Sequence, residues 1–334
     1  MSVTQWPNNF NSIPEEEWTK SSIGELAEKY DTVEEHGWYD NLNPTVNQIA
    51  QHHGSDDIIL DYSGGTGILT DRVFKALSSQ APHVLIADSS PKFLRLALEK
   101  CKTNPKVAFR LIKYLRRERR LQNLRECIDP SIWQRGLDAV VSTNAIHLYY
   151  GLEQTIADWF AILKPGGRIY VQSGNIRNPS SPQGSWIIDE TVEHIHHAAI
   201  DIVQSRSEYA NFRTVLGDKA YMDAHNKLRK KYFLPVRDLA YYEDIFTQGG
   251  FALEPTQTAL ITARVDDWYD FIAVYHEGAL GWIGGAQKIT GIEASEEIIT
   301  IRKQVMREAM TVIFSGAEEF FASWTYFQGV LRNK

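Results

Sequence analysis

From residue 58 onward, short apolar runs alternate with segments whose apolar residues recur at helical spacing. The runs at 58–62, 84–87, 107–112, 137–142 and 167–172 read as five strands. Helical spacing covers Ile68–Leu77, 91–102 and 152–163. Pro91 suits a first helical turn, where its missing N–H is not needed. The third helix stops at Lys164-Pro165-Gly166-Gly167, a strong break. The strands are continuous apolar runs rather than alternating ones, as expected of strands buried on both faces. This rhythm predicts a doubly wound α/β fold, a parallel sheet with helices on both sides. Ligands in such sheets sit beyond the carboxyl ends of the strands, where the strand order reverses.

After Ser173 the rhythm changes. Residues 175–184 are rich in Asn, Pro and Ser and read as a loop, and 185–231 as helices of mixed polarity. A strand pattern returns at 251–265, an acidic helix follows at 293–314, and residues 323–331 are aromatic and β-prone, suiting a closing edge strand. The expected organisation is an N-terminal helical lid over 1–50, a nucleotide-binding core over 51–175, a helical cap insertion over 176–236 and a sheet-completing segment with inserted helices over 237–334.

Composition narrows the function classes. The chain has 334 residues and a formal net charge of −7, which gives no general attraction to nucleic acid or anionic membranes. Its two cysteines, Cys101 and Cys127, form no CxxC unit, so a disulfide framework or zinc site is not expected. The polar, acidic segment 1–17 is unlike a secretory signal, and no window approaches 18 uninterrupted apolar residues. A cytoplasmic protein with no membrane partner is expected.

The sharpest local signal is Ile58-Ile59-Leu60-Asp61-Tyr62-Ser63-Gly64-Gly65-Thr66-Gly67, a strand running into a glycine-rich turn and then a helix. Glycines permit positive φ and close backbone approach to a ligand, and a helix N-terminus offers unpaired N–H groups. Asp88, 21 residues after Gly67, ends the second strand, where a carboxylate can take both hydroxyls of a ribose. Nicotinamide enzymes use the same geometry but need a third glycine. With Gly65 and Gly67 as the first two, that position is Thr70. The acid at the head of the turn, Asp61, also suits a sulfonium with its amino group better than a pyrophosphate.

Residues 60–67 resemble motif I of class I S-adenosylmethionine-dependent methyltransferases. Ser142-Thr143-Asn144-Ala145-Ile146-His147 and Leu163-Lys164-Pro165-Gly166-Gly167-Arg168 resemble that family's fourth and fifth strand segments. Ala27-Glu28-Lys29-Tyr30-Asp31 resembles its N-terminal helix closing over the cofactor, and Ile245-Phe246-Thr247-Gln248-Gly249-Gly250-Phe251 the junction into a sixth strand. The resemblance implies a Rossmann-like, seven-stranded, mostly parallel sheet with an antiparallel last strand. It implies S-adenosyl-L-methionine as cofactor, with Asp61, Ser63, Gly64, Gly65 and Gly67 around its methionine part, Asp88 and Ser89 at the ribose, and Tyr30 and Asn144 completing the site. Ser63 stands where the family usually has its first glycine, and no acid or amide follows the third strand to read the adenine amino group.

Other constellations are weaker. Arg116-Arg117-Glu118-Arg119-Arg120, followed by Leu121, Leu124 and Ile128 at helical spacing, suits the solvated face of a helix better than an RNA patch. His147, after the fourth strand, is a candidate general base, with Tyr149 and Tyr150 beside it as pocket walls. Glu190 with His194, and Glu193 with His197, have i, i+4 spacing. Surface pairs are the commoner meaning, a substrate role for His194 and His197 the next, and a metal site is not expected. Trp38, Tyr39, Trp268, Tyr269, Tyr275 and Trp282 together suit an enclosed apolar substrate site, although any one of them is more often packing. The expected activity is transfer of a methyl group to an oxygen, nitrogen or activated carbon of a small organic molecule. The alternatives are an RNA methyltransferase, an NAD-dependent oxidoreductase and a non-catalytic protein that keeps the fold.

Overall fold

The structure, a computed structural model, describes residues 6–23, 31 and 37–332. Its sheet is built from β1 (Ile58–Tyr62), β2 (His83–Asp88), β3 (Val107–Leu111), β4 (Leu137–Thr143), β5 (Leu163–Ser173), β6 (Phe251–Leu253), β7 (Gln257–Arg264) and β8 (Glu319–Leu331). The order is β6-β8-β5-β4-β1-β2-β3, with β7 also on β8. β1 to β5 are mutually parallel, and β8 runs antiparallel to β5, β6 and β7. β6 and β7 meet successive stretches of β8, so they share one position in the sheet. Pro255, which has no N–H to give the ladder, stands in the break between them. Seven positions with one antiparallel strand make the Rossmann-like, mostly parallel sheet expected from the sequence.

Helices cover both faces. On one, α1 (Asn43–His52), α2 (Ile68–Leu77) and α3 (Pro91–Cys101) bury Ile49, Val73, Leu94 and Leu98 against Ile59, Ile86 and Phe109. On the other, α4 (Leu152–Ile162) and α7 (Leu239–Gln248) bury Ile156, Trp159, Tyr242 and Phe246 against Leu60, Val140, Ile169 and Phe327. Every β2 residue is buried, as two-sided coverage requires.

Between β5 and α7 lie α5 (Glu190–Ser205) and α6 (Lys219–Tyr232). The β7–β8 connection carries α8 (Val265–Val274) and α9 (Glu296–Ile313). These two insertions share one apolar core. Val192, Ile195 and Val203 of α5 meet Val305, Met306 and Met310 of α9, with Trp268 and Trp282 fully or nearly buried among them. The cap expected over 176–236 is therefore half of a larger helical body. Its support is a two-stranded ribbon. Thr325 of β8 pairs with Ser173, the last residue of β5, and residues 319–324 run on past the sheet's carboxyl edge while still paired to β7. Six residues at about 3.3 Å each carry the ribbon ~20 Å beyond that edge. Phe320, Ala322 and Trp324 join the helical core there.

Two expectations are corrected. Residues 323–331 do not form an edge strand: β8 lies inside the sheet, with β5 on one side and β6 and β7 on the other. The basic run is not a helix. Tyr114–Leu115 and Arg120–Leu121 form an antiparallel hairpin with Arg119 at φ +56°. Asn123 and Glu126 then make a reciprocal capping box that starts a new helix at Leu124. A helix begun there cannot run back through the arginines.

Candidate functional site

The β1–α2 turn stands at the switch point, between β2 on one side and β4 on the other. Ser63 and Gly64 donate their N–H groups to Ala87 O at 2.8 and 3.3 Å, folding the turn over the end of β2. Three of its residues have positive φ: Ser63 at +59°, Gly65 at +57° and Gly67 at +79°. A Cβ on Gly64 would lie 2.8 Å from Asp61 Cγ, so packing demands glycine there. A Cβ on Gly65 would meet nothing within 4 Å, because that residue faces the open cleft.

Asp61 is buried beneath the turn. Its Oδ2 accepts a hydrogen bond from Thr70 Oγ1 at 2.8 Å, and its Oδ1 is buried without a hydrogen-bond partner among the described residues. Burial pushes its pKa up to about 7, against the pull of the Thr70 hydroxyl. Thr70, the residue in place of the dinucleotide fingerprint's third glycine, thus has a polar task of its own. Asp88 ends β2 with Oδ2 accepting from Gly65 N–H at 2.9 Å and Oδ1 from Ser90 N–H at 2.7 Å. Burial raises its pKa and these backbone donors oppose the rise. Ser89 beside it is exposed.

Ser63, Gly65, Leu69, Asn144, Tyr39 and Leu42 line a cleft open to solvent. Tyr39 and Leu42 belong to the Gly37–Leu42 turn and form one wall of the cleft. Tyr30 lies outside the described residues; Asp31 beside it pairs with Lys100.

Asn144 follows β4 at φ +55°. Its Nδ2 donates to Asn41 Oδ1 at 3.2 Å, and its Oδ1 accepts from Trp324 Nε1 at 2.8 Å. Gln172 Nε2 also donates to Asn41 Oδ1 at 3.1 Å, and Tyr326 OH to Asn41 O at 2.7 Å. The amide of Asn144 therefore ties the lid, the fourth strand and β8 together beside the cleft. No spacing rule pointed to Asn41 or Trp324, because neither is near the turn in sequence. Thr70 carried a usable signal, a polar residue on the apolar side of α2.

Tyr149 braces the turn from below. Its hydroxyl donates to Ser63 Oγ at 2.9 Å and lies 2.9 Å from Ser142 Oγ, and its ring stands edge-on to Tyr62 and Trp159. Tyr150 is 75% exposed. His194 is exposed and edge-on to Trp186, while His197 is exposed and 3.7 Å from Glu193. Glu190 pairs with Arg177 instead of His194, and Glu193 also holds Arg229 at 2.8 Å. These histidines do not line the turn's cleft, and among the described residues no His, Cys, Asp and Glu group suits a metal ion. Trp268 and Trp282 are core packing.

His147 is nearly buried one turn beyond Asn144. Asn175 Oδ1 accepts from Asp189 N–H at 2.7 Å, which turns Asn175 Nδ2 toward His147 Nε2, 3.1 Å away. Nε2 is thus the acceptor, and Nδ1–H donates to Ser173 Oγ at 3.1 Å. Burial, with Arg237 nearby, lowers the imidazole pKa to about 4. The ring is neutral with both nitrogens engaged.

No family model matches the chain, and no curated protein matches it. Solved structures resemble it at low identity. YcgJ from Bacillus subtilis shares 11% identity over 89% of this chain and all of that one, with a TM-score of 0.49. A putative methyltransferase, BH2331, from Bacillus halodurans C-125 shares 13% over 87% and 98%, with a TM-score of 0.47. The geranyl diphosphate C-methyltransferase from Streptomyces coelicolor A3(2) shares 11% over 86% and 78%, with a TM-score of 0.41. Among the described residues no helix is long and apolar enough to cross a membrane.

Proposed function

We propose that the chain is an S-adenosyl-L-methionine-dependent methyltransferase acting on a small organic molecule. The observation that carries this is the unpartnered Oδ1 of Asp61 beneath a glycine turn whose Gly65 faces open space. A buried acceptor without a donor is costly, and a ligand amino group would satisfy it. In this reading Asp88 at the end of β2 takes the ribose hydroxyls, and Ser63 and Gly65 take the methionine part. A dinucleotide fits worse, because its pyrophosphate would face Asp61 and because Thr70 crowds the helix–strand approach its fingerprint keeps open.

When bound, the cofactor supplies an electrophilic methyl group on a sulfonium. The chain's own residues bind, orient and exclude water. Tyr39 and Leu42 close the cleft, Asn144 fixes lid and sheet relative to each other, and the helical body stands over the carboxyl edge. Acceleration then comes chiefly from positioning the acceptor in line with the bond that breaks. His147 is a base only if Asn175 releases Nε2; otherwise it is a neutral spacer that holds Ser173. In the second case His147→Ala lowers the rate by the same factor at every pH, whereas a base role gives the wild type alone a pH-dependent limb.

Calorimetric titration with S-adenosylmethionine, S-adenosylhomocysteine and NAD tests the assignment. Binding of the two adenosyl ligands but not NAD is expected. Binding of NAD alone would replace this proposal with a nicotinamide oxidoreductase.

A further inference from the structure

Behind His147 lies a second cavity, of about 220 Å³ and open to solvent. Its walls are the start of α5, the end of α6 and the 233–236 connection. The floor is apolar, with Val192, Phe233, Leu234 and Pro235. The His147–Ser173–Asn175 cluster ends at Asp189, which lines this cavity, whereas Asn144 before it lines the cofactor cleft. Occupancy of one need not require occupancy of the other.

The guanidinium groups that line the cavity pair with carboxylates, and Asp189 is the lining carboxyl left without a guanidinium among the described residues. Arg177 is paired with Glu190 and Asp238, and Arg229 with Glu193. Lys230 is exposed. Asp189 is only 11% exposed, yet no arginine or lysine pairs with it among the described residues. It precedes α5 where an aspartate ordinarily caps, but its backbone is already helical and its carboxyl makes no cap bond. Its neighbours are the Asn175 amide and, at 3.9 Å, the neutral ring of His147. Burial pushes the Asp189 carboxyl up to about 7, against the pull of the Asn175 amide, and above that pH the carboxylate stands this deep without a cation, a loss to stability that a bound cation would offset.

We infer that this cavity is a binding site for a primary ammonium with a short apolar body, the ammonium on Asp189 and the body along Phe233, Leu234 and Pro235. An ammonium matches the one buried carboxyl of the lining that faces no cation, and five apolar lining residues, Val192, Phe233, Leu234, Pro235 and Val236, suit a few methylenes. Lys230 at the mouth makes a neutral or anionic far end preferable to a second cation.

The probe is n-butylamine, titrated into the full chain at pH 8 by calorimetry and by saturation-transfer NMR, with 1-butanol and butyrate as controls. Butylamine is expected to bind at least about tenfold more tightly than 1-butanol, the scale of one charge-assisted hydrogen bond. Asp189→Asn should remove that preference while its unliganded melting temperature stays level or rises. Leu234→Lys, which keeps the carboxyl but tethers an ammonium in the cavity, should also lose binding. Gly65→Ala should leave butylamine binding unchanged. Equal affinity for butylamine and 1-butanol, equal binding by the wild type and Asp189→Asn, or no binding at millimolar probe would each overturn the inference. Because no titration contains the adenosyl cofactor, these outcomes are independent of the methyl-transfer proposal.

Discussion

Gly64 and Gly65 are adjacent, but alanine should fail at the two positions for different reasons. At Gly64 the backbone φ is not in the left-handed region, so the obstacle is contact. The new Cβ would stand 2.8 Å from Asp61 Cγ and 2.9 Å from Ile86 Cγ2, distances that force the turn or β2 to move. Overpacking of this kind costs about 1–3 kcal/mol. At Gly65 the new Cβ meets no protein atom, and the cost is the left-handed φ of +57°, about 1–2 kcal/mol. That Cβ, however, projects into the space a ligand's methionine part would fill. Gly65→Ala should therefore keep most of its stability and lose S-adenosylhomocysteine affinity by about a hundredfold or more, ~3 kcal/mol. Gly64→Ala should lose as much stability or more. Urea unfolding and calorimetric titration on the same preparations separate the two effects. If Gly65→Ala binds the adenosyl ligand like the wild type, the open space at Gly65 is not the cofactor's, and the site assignment falls with it.

Other consequences follow from the same turn. Asp61 has a pKa raised from 3.8 to about 7, so the folded state holds its proton more tightly than the unfolded chain. The stability this contributes is complete below about pH 4 and is lost as the pH rises toward 7, a term of up to ~4 kcal/mol. Asp61→Asn should therefore gain on the wild type progressively between pH 4 and 7 in urea midpoints; a constant difference would show that Asp61 is not held neutral. Asp88→Ala strips acceptors from Gly65 N–H and Ser90 N–H and should abolish adenosyl binding in calorimetry, while the far-ultraviolet spectrum stays native. Tyr149→Phe removes the hydroxyl shared by Ser63 and Ser142 and should cost about 1–2 kcal/mol in unfolding, with adenosyl affinity weakened severalfold. Unchanged affinity would mean that the turn does not need its brace.

The sequence was most legible where local chemistry and fold agree. Continuous apolar strands, the break at Pro165 and the glycine turn each have a short-range cause, and the first five strands lie close to where the pattern puts them. The cleft beside the glycine turn was legible on one side, Asp61 to Gly67 and Asp88, because one turn and one strand end supply it. Its other walls were not. Asn41 reaches Asn144 across 103 positions and Trp324 does so across 180, and such separations leave no periodic trace. The basic segment misled because Leu121, Leu124 and Ile128 fit a helical period, while the decisive signal was the Asn123–Glu126 capping box inside it. The interior position of β8 was hidden for another reason: an aromatic closing segment reads alike at an edge and between two strands.

β8 makes the two halves of the molecule one mechanical unit. Its last residues, including Phe327 and Leu331, pack in the sheet's core, and its first, from Phe320 to Tyr326, pack in the helical body. The change of role falls between Tyr326 and Phe327. The Trp324 ring is buried with the helical core and its Nε1–H donates to Asn144 at the cleft, while a Cβ on Gly174 would lie 2.8 Å from that ring. A movement of the helical body is therefore felt at Asn144 through a side chain with no free space around it. Asn144 in turn holds Asn41 in the lid. Lid, cleft and helical body meet in three hydrogen-bonded side chains from distant parts of the chain, which gives the two insertions a route to the cleft that does not depend on the loops around it. Packed interiors shift between discrete arrangements rather than deform smoothly, so closure of the lid and seating of the helical body are expected to occur together.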